Sequence, residues 1–562
     1  MEWSTNLPTT ATPEFVEFIS QTTPLSKKLR GRWLYQLALQ HDWEAFLRYY
    51  QPSNDVNLQC YEQIALVHQG QEQKALSRAT TLWLQSTGQP PSCDALFSWL
   101  LKNHDSHQDL ITQRIRIALE DRNLSLAAYL LNQYHPPHSG DSKILQGIHQ
   151  QPNRIADLSP GGLHGDFYLY GLKRLITNNK MDDALRHWRS PKTHQLLNEQ
   201  QSQSFLSFLV IYKAMRNNED TPLWFAKIKP KFYTDLLLDW SIRFALKNRQ
   251  WKQVQELIQQ SQQKNEPSLQ YWLARSLEAQ GKKPEADAIY QTLAKTRHYY
   301  GFLASLRLKT KLTFANEPIQ PDLNRLKVYK PIIDQVEYLY TNSQIPKASL
   351  LINDFASELP KEDKSALVLW IQNSLQWHGK AVDLSNADDL SNQLTLRFPM
   401  VHHQDVRQTA KRYQIPSELI YAVIRQESGF RHDVVSPAGA YGLMQIMPST
   451  AQKIAKQKKI NFKNKDQLFS SVDNINIGTA YLQELDKRFH HHPVLMAAAY
   501  NAGPTQVNYW LKNHPPKEID IWIETLPWRE TRNYLKNIVA FYAVYQYRMN
   551  EKGNLNWFMQ KF

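Results

Sequence analysis

From its N-terminus to about residue 320 the chain repeats one pattern: apolar residues at helical spacing, a short polar turn, then a second helical segment. Leu34 to Tyr49 turns at His41, Asp42 and Trp43, and Tyr61 to Leu84 at Gly70 and Gln71. Ile176 to Trp188 turns at Asn178, Asn179 and Lys180, Phe244 to Ile258 at Asn248 and Arg249, and Tyr271 to Leu293 at Gly281 to Pro284. No convincing apolar–polar alternation of the kind a half-buried strand needs is present, so this region is predicted to be helical. Two-helix units cannot bury their apolar faces alone and must stack on one another, which predicts an α-solenoid. Its tryptophans are expected between the hairpins as packing.

The hairpin from Tyr271 and Trp272 to Tyr290, with Ala274, Gly281, Ala286 and Ala288, resembles a tetratricopeptide-type unit. Spacing elsewhere is too irregular for a consensus array. Pro318, Ile319, Gln320 and Pro321 interrupt the pattern, since proline breaks helices and favours extended linkers. A second helical stretch follows and ends near Phe398 and Pro399. From His402 onward, short motifs rich in Gly, Ser, Asn, Met and Tyr appear between helices. The expected division is a helical-repeat domain at 1–320, a helical linker at 321–397 and a chemistry-bearing domain at 398–562.

At 562 residues the chain exceeds a single hydrophobic core, and 42% hydrophobic residues exclude bulk disorder. The longest unbroken apolar run, Ile538 to Tyr545, is far short of the ~20 residues that cross a bilayer, so no transmembrane segment is expected. The net charge is +14, and residues 401–562 hold 21 basic and 13 acidic side chains. An anionic polymer suits that excess, and charge alone leaves nucleic acid and peptide-bearing glycan both open. Two cysteines, Cys60 and Cys93, exclude a Cys-rich zinc site and allow one bridge, which only an oxidising compartment would keep closed. The start, Met1 to Ser4, has no export signal, which fits either a cytosolic protein or one whose signal has been removed. The histidines show no metal-ligand spacing, and His490 to His492 is expected to be a solvated turn.

One residue breaks a pattern that its surroundings impose. Ile415 to Glu418 opens a helix whose Leu419, Ile420, Val423 and Ile424 form a buried stripe, and Glu427 falls where that stripe calls for another aliphatic side chain. Gly429 is expected to end the helix. Burial and the negative end of the helix dipole both disfavour a charged carboxylate there, so its pKa should rise. A carboxylic acid that keeps its proton near neutrality is what protonation of a glycosidic oxygen requires. The alternative is a structural Glu paired to Arg425 or Arg431.

Downstream of Glu427 and Ser428 come Ser436 to Ala440, then Gly442 to Pro448, Ala499 to Gly503, and Glu530 to Tyr534. In order and spacing these resemble the motifs of the lytic transglycosylases of the goose-lysozyme-like superfamily. The helical setting of Cys60 and Cys93 resembles that of the large soluble members, so the likeness covers nearly the whole chain. It implies an all-α protein: an N-terminal U-shaped superhelical solenoid ring, a helical linker and a C-terminal lysozyme-like domain. It also implies a Cys60–Cys93 disulfide, a periplasmic location with the export signal absent from this sequence, no cofactor, and a monomer that interacts with cell-wall complexes. The partner becomes peptidoglycan strands with their peptide stems rather than nucleic acid.

By the same resemblance Glu427 is the single acid/base, acting on the β-1,4 bond between N-acetylmuramic acid and N-acetylglucosamine. It protonates the leaving oxygen, then takes the proton of the muramoyl C6 hydroxyl, which closes a 1,6-anhydro ring, with cleavage from strand ends. Glycosidases usually need two carboxylates, but the substrate's 2-acetamido group can replace the second. Ser436 is implied near the muramoyl substituents, and Gln445, Tyr500 and Asn501 along the cleft at the acetamide. Met447 is implied against a sugar face, and Glu530, with Tyr534 four residues on, at the peptide stem. Tyr500 and Asn501 are expected on a loop. Rivals are core packing for Met444 and Met447, a capping turn for Asn501 and Gly503, and a buried ion pair of Glu530 with Arg529 or Arg532. Ser449 with Gln452 reads as a helix-capping box. Tyr441 is larger than the Ser some relatives carry, which alters one subsite. Two other functions stay open: a lysozyme-type hydrolase with water as acceptor, and a non-catalytic solenoid that binds glycan.

Overall fold

The computed structural model describes residues 3–560 except 4, 5, 9, 22, 23, 105, 135–139, 320, 321, 514, 516, 517 and 550–552. Helices account for the regular structure of the described residues, with only isolated antiparallel bridges at Val435 with Tyr441 and Tyr441 with Ile446. The all-α reading is therefore correct. Gln320 and Pro321, the end of the proline-rich boundary, lie outside the described residues, as do Met1, Glu2 and Ser4 of the start.

The helical hairpins share a mechanical detail. His41, Gly70, Asn179, Arg249 and Gly281 all take left-handed backbone conformations, with φ of 57°, 69°, 60°, 56° and 80°. Each sits just past the end of its first helix, where one left-handed residue reverses the chain. Only two are glycine, so the other three carry a conformational cost that helix stacking offsets.

Two compact units are separated at Tyr233 and Thr234. In the first, Phe15, Trp33 and Phe46 are buried together in one core cluster. Cys60, in helix Val56–His68, and Cys93, at the end of the short turn Pro91–Cys93, are joined by a disulfide.

The second unit holds the helices that build the site: α1 (Asp235–Lys247), α2 (Pro267–Ala279), α3 (Tyr299–Leu308), α4 (Ile345–Glu358), α5 (His378–Leu384), α6 (His403–Tyr413), α7 (Ser417–Glu427), α8 (Ser471–Arg488), α9 (Pro493–Ala502), α10 (Ile519–Thr525) and α11 (Arg529–Arg548). The last hairpins of the repeat region thus share a compact unit with everything that follows. Two ionic clasps hold them there. Glu524 on α10 is 4% exposed; it meets Arg243 of α1 at 3.2 Å and Lys536 of α11 at 2.9 Å, and accepts from the Tyr300 hydroxyl of α3 at 2.6 Å. Asp520, 2% exposed, accepts from the Tyr271 hydroxyl of α2 at 2.8 Å and pairs with Arg275 and Arg307 at 3.2 and 3.4 Å. Residues between 326 and 396 share a core of their own, including Val336, Ile352, Leu367 and Ile371.

Candidate active site

Helix α7 begins behind Pro416 and is buried on all sides from Leu419 to Ile424, so the expected stripe is a complete jacket. A helix apolar all round belongs in a core, and its packing against α11 fixes where its C-terminal end points. Ser428 caps that end, with its hydroxyl accepting from Phe430 N–H at 3.1 Å. Gly429 follows at φ 56°, the left-handed turn that stops the helix and leaves Glu427 as its last residue.

Glu427 sits half-buried in the wall of a cleft of about 980 Å³. Its pKa is pushed up to about 7, first by burial and secondarily by the charge of Glu530, while the Tyr534 hydroxyl pulls the other way. Neither candidate arginine pairs with it. Arg425 donates to the Arg397 carbonyl at 2.9 Å and to Asn386 Oδ1 at 2.8 Å, and lies over the rings of Phe398 and Phe541. Arg431 turns back to the Ser428 carbonyl at 3.0 Å. Glu427 can therefore exchange a proton at neutral pH.

The segment after α7 is tied by an asparagine that the sequence did not single out. Asn474 on α8 is fully buried; its amide donates to the Tyr441 and Leu468 carbonyls at 2.9 and 2.8 Å, and its Oδ1 accepts from Met444 N–H at 2.8 Å. Gly442, at φ 73°, allows this approach, because a Cβ there would lie 2.1 Å from the Leu468 carbonyl oxygen. Ser436 and Gln445 help to shape the segment. The Ser436 hydroxyl accepts from Ala440 N–H at 3.0 Å, and the Gln445 carboxamide donates to the Gly442 and Val434 carbonyls at 2.9 and 3.3 Å. Neither is among the cleft-lining residues around Glu427. Met444 is fully buried against Gly478, whereas Met447 is 39% exposed. The capping box is not formed: Met447 occupies the N-cap and Pro448 the first helical position, so Ser449 lies inside the helix.

Tyr500 and Asn501 are on the last turn of α9 rather than on a loop, with Gly503 ending the helix at φ 85°. The Tyr500 hydroxyl donates to the Met444 carbonyl at 2.8 Å. Burial, then the neighbouring Glu427, pushes its pKa well above the usual value. Asn501 uses both ends of its carboxamide, accepting from Thr531 Oγ1 at 2.7 Å and donating to Glu530 Oε1 at 3.3 Å. Glu530 is exposed and pairs with neither neighbouring arginine; Arg532 instead donates to the Leu526 carbonyl at 2.5 Å. Tyr534, 3% exposed, has its phenol beside Glu427 and raised well above its ordinary pKa, first by burial and then by that carboxylate. Glu427, Tyr500, Asn501, Glu530 and Tyr534 thus form one group.

Residues 425–434 form one wall of the cleft, and residues between 340 and 386 form the other. Tyr340 and Trp377, stacked at 4.7 Å between ring centres, line it together with His378 and Lys380. The buried Lys380 ammonium donates to Asn353 Oδ1 at 2.7 Å and Asp383 Oδ2 at 3.0 Å. Burial and the nearby His402 and His432 push His378 down to about 4, so it is neutral at physiological pH. Nothing in the spacing of 321–397 marked these residues. Their only signal was an unusual density of Trp, His and Lys around residue 378. The histidine run is also only partly solvated, since His492 is 5% exposed. No cluster able to hold a metal occurs among the described residues.

Comparison with known proteins gives a consistent picture. The family model for the transglycosylase SLT domain matches residues 404–523. The soluble lytic murein transglycosylase of Escherichia coli K12 is 28% identical over 561 residues, covering 98% of this chain and 86% of that protein. The structure of an inactive Glu-to-Gln variant of the Pseudomonas aeruginosa lytic transglycosylase Slt superposes with a TM-score of 0.88 at 27% identity, covering 100% of this chain and 93% of that one. The 70-kDa soluble lytic transglycosylase of E. coli gives 0.79 at 25% identity, with the same coverage.

Proposed function

We propose, for a chain that belongs to the soluble lytic transglycosylases and acts on peptidoglycan, that Glu427 is the sole acid/base of the cleavage. The observation that carries this reading is its position: a carboxyl in a cleft wall with no ion pair among the described residues and a pKa of about 7. It is protonated often enough to act as an acid and ionised often enough to act as a base. That a Glu-to-Gln change inactivates the Pseudomonas relative supports it further.

The proton goes from Glu427 to the leaving oxygen as the glycosidic bond of the muramoyl residue breaks. The substrate's acetamide stabilises the cationic C1. The Glu427 carboxylate then takes the proton from the C6 hydroxyl as its oxygen bonds to C1. This closes the 1,6-anhydro ring and returns the enzyme to its starting state without water. The Tyr534 phenol favours the carboxylate through the middle of this cycle, because its interaction lowers the Glu427 pKa. Tyr500, Asn501 and Glu530 orient the substrate from the same group. Ser436 and Gln445 act by shaping the neighbouring segment, and Met447 offers exposed apolar surface to a sugar face. Glu524 is not free to serve as a second carboxylate, being neutralised by Arg243 and Lys536.

The wider reading comprises exo-cleavage from strand ends, a division into repeat, linker and catalytic parts at 1–320, 321–397 and 398–562, and action as a monomer with cell-wall complexes. It rests on likeness to the family. A periplasmic site is supported by the Cys60–Cys93 bridge, which a reducing compartment would open.

The test is mass spectrometry of products from purified sacculi. Anhydromuramoyl products lighter by one water than their hydrolysed counterparts are expected. Reducing-end muramic acid would replace this reading with the hydrolase. Glu427→Gln should lower product release by about 10³-fold or more while sacculus binding persists. Turnover left unchanged would remove Glu427 from the reaction.

A further inference from the structure

The N-terminal unit contains a buried cation without an anion. Arg114, in helix His107–Glu120, is 3% exposed and forms no ion pair among the described residues. Its guanidinium lies 4.3 Å from the centre of the Trp83 ring and 5.4 Å from that of Phe97. These ring faces accept the charge from above but not the in-plane N–H groups. In the plane, Nε has no acceptor, and Nη2 reaches only the Thr87 carbonyl at 3.4 Å. Burial lowers its pKa, so the structure holds this charge against its own solvation preference.

Arg114 lines a cavity of about 380 Å³, which also has Asp94, Phe97, Asn123, Tyr129 and Tyr134 in its wall. Asp94 opens helix Asp94–Asn103, and it is exposed and makes no ion pair among the described residues. Asn123 is committed to the Ser86 carbonyl and to Leu126 N–H, so it is wall rather than ligand. Tyr129 and Tyr134, packed edge to face at 5.9 Å, supply an apolar side. The cavity wall thus carries one buried cation and one exposed anion, neither of them in an ion pair among the described residues.

We propose that this cavity is a binding site for an α-amino acid end, with the carboxylate in the fork of Arg114 and the ammonium at Asp94. The fork matches a carboxylate with two parallel hydrogen bonds. Asp94 discriminates against a dianion such as phosphate and in favour of a zwitterion. Free amino acids supply such ends, and so does a peptide stem in which the side chain of a diamino acid ends in a free α-ammonium and carboxylate. Only the stem as source rests on the peptidoglycan reading, because the site itself is argued without it.

The experiment is calorimetric titration of the full chain with free alanine, alanine amide, N-acetylalanine, inorganic phosphate, and stem peptides freed from sacculi. Stem peptides or alanine should bind, and affinity should fall about tenfold or more in Arg114→Met and in Asp94→Asn. The amide, the N-acetyl compound and phosphate should bind more weakly by a similar factor. Binding by stem peptides alone assigns the wall as source, and binding by alanine alone assigns a free amino acid. Absence of binding by both, equal binding in the two variants, or phosphate binding as tightly as the zwitterions overturns the proposal. Should Arg114→Met fail to fold, Asp94→Asn decides, since it changes only an exposed carboxylate. Glu427→Gln should bind the probes as the wild type does, so loss of cleavage and loss of this site are read separately.

Discussion

Glu427 keeps its proton to about pH 7 because the wall of the cleft replaces water around its carboxyl. Cleavage driven by that acid should fall as pH rises above about 7, and neighbouring residues should move the limb in opposite directions. Tyr534→Phe removes an interaction that lowers the pKa and should shift the alkaline limb upward. Glu530→Gln removes a negative charge that raises it and should shift the limb downward. Rates of muropeptide release across pH check both. The same shift has a stability cost of known sign. The folded pKa lies above the ordinary 4.5, so the contribution is fully present below about 4.5 and is lost as pH rises through about 7. Glu427→Gln, which cannot ionise, should match the wild type near pH 4 and exceed its stability at pH 8 by up to about 3 kcal/mol, read by thermal unfolding. The residue was legible in sequence because a carboxylate on an apolar helix needs a reason. Asn474 was not: a polar residue near the start of a helix looks ordinary until Tyr441, Met444 and Leu468 converge on it.

Among elements, α10 is short but ties α1, α3 and α11 together through Glu524. Lys536 and Arg243 hold that carboxyl well below its ordinary pKa despite its burial. Its stabilisation is therefore present above about pH 4.5 and lost as pH falls toward the depressed folded value. Glu524→Gln leaves Lys536 buried without its anion and Arg243 with Asp239 alone, which should cost about 3 kcal/mol at neutral pH. Urea unfolding at pH 7 should show that loss, and the gap should narrow on acidification. Helix identity was readable in the repeat hairpins, down to the turn residues, because 3.6-residue periodicity and polar breaks are local. The placement of Tyr500 and Asn501 on the end of α9 was missed, since a polar pair before Gly and Pro reads as a loop when the helix behind it is unseen.

For the molecule as a whole, the Cys60–Cys93 bridge closes a separation of 33 residues, which contributes about 3–4 kcal/mol in the chain-entropy account. Thiol titration of the unfolded, unreduced chain should find no free thiol, and reductant should lower the unfolding temperature of the N-terminal unit. The sequence by itself determined the helical class, the misplaced carboxylate at Glu427 and the motifs that resemble a known family, because periodicity, a carboxylate on an apolar helix and motif order are properties of neighbouring residues. Tertiary structure alone decided that Tyr340, Trp377 and His378 of the linker face the same cleft as Glu427. It also decided that helices α1 and α2 of the repeat pattern pack in one unit with α7 to α11. Those facts depend on contacts between residues dozens to hundreds of positions apart, such as Arg243 with Glu524, and no local pattern in the chain encodes such a meeting.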